Sequence, residues 1–144
     1  MYDPTPHALV SQLRRAEMII SEARGDFTLF ALFLWAEEDW DEDEWIYKGE
    51  TREWSVFASA PWLEAMGRDA SGWLNQKLSS FVKEYRIRIR GAHVVPMTAP
   101  ELEELTEELG FVHGKRIVHH REFGRWTVLK GYIITCRPPM EKAA

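Results

Sequence analysis

Ten residues in a row, Phe27-Thr28-Leu29-Phe30-Ala31-Leu32-Phe33-Leu34-Trp35-Ala36, carry no charge and one hydroxyl, and they constrain this chain more than any other stretch. The run is about half the length a membrane-spanning helix needs. Its length and aromatic content favour a strand over a buried helix, and Gly25-Asp26 marks a break before it. As a strand it is apolar on both faces, with Phe27, Leu29, Phe33 and Trp35 on one side and Phe30, Leu32 and Leu34 on the other. A strand of that kind belongs in the middle of a sheet whose two faces are both covered.

The chain then turns acidic: Glu37-Glu38-Asp39-Trp40-Asp41-Glu42-Asp43-Glu44-Trp45. A second apolar run, Trp54-Ser55-Val56-Phe57-Ala58, follows, so the local order is strand, acidic excursion, strand.

Around this pair the periodicity supplies the remaining elements. Leu9, Leu13, Ala16 and Ile20 form one helical stripe, starting near Thr5-Pro6 and stopping at Gly25. Pro61–Met66 makes a short helical turn. Asp69 or Ser71 caps a longer helix with Leu74, Leu78, Phe81, Val82 and Tyr85 on its inner face. Arg86-Ile87-Arg88-Ile89-Arg90 alternates with period two and reads as a half-buried strand, which Val94 and Val95 extend past a bend at Gly91. Thr98-Ala99-Pro100-Glu101 reads as a capping box opening a helix with Leu102, Leu105 and Leu109 inward, ended by Gly110. Arg116–Glu122 and Trp126–Cys136 form a closing hairpin around Phe123-Gly124, with Gly131 marking a bulge or a close backbone approach.

The expected fold is therefore α+β (or α/β). It is a single domain over residues 1–144, with a mixed sheet of about five strands packed by three helices, ending in an antiparallel hairpin. Two strand–helix–strand passages are candidates for parallel crossovers. Leu29, Phe33, Val56, Leu78, Ile87, Leu105 and Ile133 are expected in one core, and residues 138–144 as a frayed tail.

Charge bounds the function. The net charge of −5 hides a separation of signs. Residues 37–53 hold nine acids against Lys48 and Arg52, whereas 111–144 hold seven bases against Glu122 and Glu141. This argues against nucleic-acid binding by overall charge and for a polar partner or internal pairing. No secretory leader and no membrane span is visible, and the single Cys136 has no disulfide partner, so we expect a cytoplasmic protein and no membrane association. Cys136 sits at a strand end and reads as a packed thiol. Self-association is left open, and no cofactor is implied.

Three groups of residues are candidates for chemistry. Glu38, Asp39, Asp41 and Asp43, interleaved with Trp40 and Trp45, read as a partner-binding surface, because tryptophan is enriched at binding hot spots. The same carboxylates also suit a hard cation, although the calcium-loop pattern counted from Asp39 lacks its glycine at Glu44. A solvated loop is the plainer reading. Arg86, Arg88 and Arg90 would lie on one strand face about 6.6 Å apart, spaced to hold anions. Against that stand an edge strand kept from aggregating by charge, and pairing with the acidic loop or with the helix bearing Glu103 and Glu107. His119-His120 would point to opposite faces of a strand and so cannot share a metal, and Glu122 with Arg125 reads as a cross-strand ion pair. Phosphate-loop, dinucleotide-turn and nucleophile-elbow motifs are absent from the sequence.

These readings favour a small acidic binding or regulatory protein, without catalysis, that engages a basic protein partner. The alternative is a metal-assisted hydrolase or nuclease using Asp39, Asp41 or Glu44, with Arg88 or Arg90 steadying phosphate.

Overall fold

The structure, a computed structural model, describes residues 7–37, 54–124 and 126–137. The elements in order are α1 (His7–Arg24), β1 (Leu29–Glu37), β2 (Trp54–Ser59), α2 (Pro61–Glu64), α3 (Ala70–Phe81), α4 (Tyr85–Arg88), β3 (Ile89–Val94), α5 (Pro100–Leu109), β4 (Val112–Phe123) and β5 (Trp126–Cys136). The expected helix start at Thr5, the acidic stretch and the C-terminal tail lie outside the described residues.

The five strands form one mixed sheet in the order β3-β2-β1-β5-β4. β1 takes the centre, as its two apolar faces require, and pairs antiparallel with both β2 and β5. β2 and β3 run parallel, joined by a crossover through α2, α3 and α4, and β4–β5 is the expected antiparallel hairpin. The second expected crossover does not give a parallel pair. β3 and β4 end up on opposite edges, and α5 crosses one face of the sheet between them.

Alternation along β1 splits the interior into two layers. Phe30 and Leu32 pack with Leu9, Leu13 and Ala16 of α1 and with Leu74 and Leu78 of α3. Leu29, Ala31 and Phe33 pack with Leu102, Leu105 and Leu109 of α5. The residues expected in one core are thus divided by the sheet: Val56 and Leu78 on the first face, Leu29, Phe33, Leu105 and Ile133 on the second. The side chain of Ile87 is outside the described set. Burying each such side chain is worth roughly 1.5–3 kcal/mol, so both layers are needed to hold the sheet.

Four local expectations are corrected. Phe27 does not share a face with Leu29. It precedes β1, so alternation does not reach it, and its ring packs 4.9 Å from Phe30 and 5.2 Å from Trp62. Phe81, expected on the inner stripe of α3, ends that helix exposed.

The expected strand Arg86–Arg90 is mostly a helical turn, α4, with β3 beginning only at Ile89. Tyr85 and Ile89 are both buried and lie four residues apart, the helical repeat, and that burial outweighs a five-residue alternation. Asn75 pins the turn: its Oδ1 accepts from the Tyr85 hydroxyl at 2.9 Å and from the Ala92 amide at 3.1 Å.

Thr98 is not the cap of α5. Ala99 occupies that position with no side-chain hydrogen bond, and Pro100 opens the helix with Glu101 and Glu103 in its first turn. Proline at the first position and acids facing the positive helix end do the work assigned to the threonine.

In the hairpin, Phe123 pairs with Trp126, and Gly124 just after β4 takes φ 60, a conformation that favours glycine. Gly131 is a close approach, one of its two expected roles: a Cβ there would meet Phe33 Cδ1 at 2.7 Å and Val118 Cγ2 at 3.0 Å, so the Phe33 ring lies on bare backbone.

Candidate functional site

Helical spacing aims one charged residue of α1 at the sheet. Glu17 follows Leu13 by four positions and Val10 by seven, so it shares their inward face, and it is only 4% exposed. A buried carboxylate needs donors. β5 supplies one: the Thr135 hydroxyl donates to Glu17 Oε2 at 3.0 Å in a buried setting.

Thr135 reaches Glu17 because of an irregularity in β5. Phe30 pairs with Thr135 but Ala31 pairs with Ile133, so Ile134 is an extra residue on β5. Thr135 and Ile134 therefore both face α1, and Ile133 returns to the α5 side. A matching bulge lies in β4, between His113, which pairs with Thr135, and Arg116, which pairs with Ile133. Gly114 in that bulge has φ 127, a conformation that a residue with a Cβ adopts only under strain. Bulges are a common device for re-aiming side chains beside a site.

The result is a groove of about 350 Å³ between α1 and the base of the β4–β5 hairpin. Ser11, Arg14, Arg15 and Met18 line it from α1 at helical spacing, and all four are exposed. His113 and Gly114 line it from β4, and Glu17 is its buried acid. Arg14 lies near the bulge, since a Cβ on Gly114 would sit 3.8 Å from Arg14 Nη2. Burial pushes the Glu17 carboxyl above its ordinary value of 4.5; the Thr135 hydroxyl, His113 and Arg137 oppose the rise, and Asp26 adds to it. A buried acid with a perturbed pKa inside a groove marks a functional candidate, and the plainer alternative is that Glu17 ties α1 to β5 through Thr135.

The residues singled out from sequence fall elsewhere. Glu38, Asp39, Trp40, Asp41, Asp43 and Trp45 lie outside the described residues. Arg86 is exposed and Arg88 half-buried on α4, while Arg90 is exposed on β3, so the three do not form the regular strand-face ladder. On α5, Glu108 is bridged by Arg121. Arg125 lies outside the described residues. His119 and His120 are both exposed, and His120 has a left-handed φ of 50, which breaks the strict alternation expected of the pair.

Among the described residues no group of three or more His, Cys, Asp or Glu is placed to hold a metal. Cys136 ends β5 fully buried, as expected, and burial pushes its thiol up to about 11 against the pull of Arg116, so it is no ready nucleophile.

A second cavity of about 460 Å³ lies on the other face of the sheet, beside Phe57, His93, Trp126 and the start of α5. Its wall is a cluster of rings, with Phe57 4.9 Å from both His93, which is tilted against it, and Trp126, which meets it edge to face.

The sequence held one signal for Glu17, an acid on the apolar stripe of α1. Gly114 is a faint mark of the β4 bulge, but no residue of Ile133-Ile134-Thr135 marks the one in β5. Among the described residues no helix is long and apolar enough to cross a membrane. No family model, no curated protein and no solved structure matches this chain.

Proposed function

We propose that this protein is a cytoplasmic, non-catalytic binding protein whose acidic, tryptophan-bearing segment engages a basic protein partner. The observation that carries this reading is the connection between β1 and β2. The two strands are adjacent and antiparallel, in register from Leu29↔Ser59 to Phe33↔Ser55. A hairpin of that kind needs roughly 2–5 loop residues. This one is joined by residues 38–53, sixteen residues that include eight acids, Trp40 and Trp45. Connections much longer than the fold requires are commonly binding loops, and a single sign of charge speeds encounter with an opposite partner.

Glu38, Asp39, Asp41 and Asp43 supply the attraction in this reading, and Trp40 and Trp45 the affinity. The test compares three forms of the protein as bait in lysate: the parent, a Trp40→Ala/Trp45→Ala variant of unchanged charge, and a variant with the four acids replaced by Asn or Gln. A basic protein retained by the parent and lost by both variants supports the reading, provided its purified form associates faster at low salt. Retention independent of the tryptophans and of salt contradicts it. Melts with Mg²⁺, Mn²⁺ and Ca²⁺ separate it from metal-assisted hydrolysis, since a site for one of these ions would raise the melting temperature.

A further inference from the structure

We propose that the groove between α1 and the β4–β5 hairpin binds a small amino phosphate, its ammonium group against Glu17 and its phosphate against Arg14 and Arg15. The proposal stands apart from the acidic segment and needs no part of it.

Glu17 comes first. An ionised carboxylate offers about four acceptor positions. Among the described residues Thr135 is the hydrogen-bond donor that Glu17 has, and the groove opens beside it. An ammonium group in the groove brings further donors and the opposite charge.

The rim decides the other end of the ligand. Arg14 and Arg15 face the groove, and guanidinium groups hold phosphate through paired hydrogen bonds. Two arginines against one carboxylate leave a surplus of positive charge, which a ligand with one ammonium and one doubly charged phosphate balances. His113 and the Ser11 hydroxyl add polar contacts, and Met18 with Ile134 gives the short carbon body an apolar surface. Arg137 and Asp26 act on Glu17 with opposite signs. The volume, about 350 Å³, is at the lower end of the range for small-molecule sites.

The experiment titrates the full chain with phosphoethanolamine, following amide shifts by NMR and the melting temperature. Ethanolamine and inorganic phosphate serve as half-ligands, and glycine as the carboxylate counterpart. We expect shifts centred on Ser11, His113 and Gly114, a rising melting temperature, and binding at least about tenfold weaker for each of the other three probes. Arg14→Gln/Arg15→Gln alters only exposed side chains, and Glu17→Gln keeps an acceptor for Thr135. Each should weaken phosphoethanolamine by about tenfold or more while the unliganded protein still melts cooperatively. The proposal is overturned if phosphoethanolamine causes no shifts at the groove, or if either variant binds it as the parent does. Inorganic phosphate binding equally well would remove Glu17 from recognition, and glycine binding equally well would contradict the phosphate assignment.

Discussion

β1 and β2 differ from the residues that join them as sharply as two parts of one chain can. From Leu29 to Phe33 and from Trp54 to Ser59 every side chain is buried, with the tilted rings of Phe33 and Phe57 4.9 Å apart. Between the strands, Glu37–Glu44 has seven acids in eight positions. The framework is built from residues that gain free energy by leaving water. The connection is built from residues that repel one another at close quarters. Burial accounts for the first composition and not for the second, which is why the binding role proposed above is placed on the connection. Glu17 stands between the two cases as a single acid taken inside the framework.

The largest effects are expected in the framework. Leu78→Ala on the α1–α3 face, and Leu29→Ala or Leu105→Ala on the α5 face, should each cost about 2–5 kcal/mol in urea melts. Because the sheet separates the layers, Leu78→Ala combined with Leu105→Ala should be close to additive. A strongly non-additive pair would mean that the two faces are not independent. Gly131→Ala should cost about 1–3 kcal/mol by forcing the Phe33 ring off the backbone. Combining it with Phe33→Leu should recover part of that loss, and no recovery would remove the close approach as its cause.

Smaller and more specific is Glu17→Gln. Burial raises the Glu17 carboxyl above its ordinary 4.5, so the folded state holds the proton more tightly than the unfolded chain does. The sign follows directly: the protein binds more protons when folded, so Glu17 lowers stability as pH rises from the ordinary carboxylate range through the folded-state value. The difference in stability, parent minus Glu17→Gln, should therefore fall across that window and then level off. A difference that rises with pH would mean that Glu17 is stabilised as a carboxylate, and the account of its burial would be wrong. Smallest of all is Thr98→Ala, expected to stay within about 0.5 kcal/mol because Ala99 holds the cap position.

How much of this was legible in the sequence depended on how far each pattern ran. Ten apolar residues were enough to place β1 at the centre of the sheet, and four apolar positions at helical spacing were enough for α1. Five alternating residues were not enough at Arg86–Arg90, where Tyr85 and Ile89, each buried by tertiary contacts, imposed a helical turn. Capping chemistry misled by one residue, since Pro100 opens the helix wherever the threonine lies. The groove was hidden for a different reason. Glu17 lies far in sequence from His113 and Thr135, and two bulges set their approach, of which only the one in β4 carries a mark, Gly114.

The most direct test of the division between framework and connection is a urea melt, at low salt, of the variant Glu38→Gln, Asp39→Asn, Asp41→Asn, Asp43→Asn. If the acids serve a partner and not the fold, removing four of them relieves repulsion, and the midpoint stays where it is or rises slightly. A loss of about 2 kcal/mol or more would show that these acids are paired within the folded protein, and the assignment of the segment to partner binding would lose its foundation.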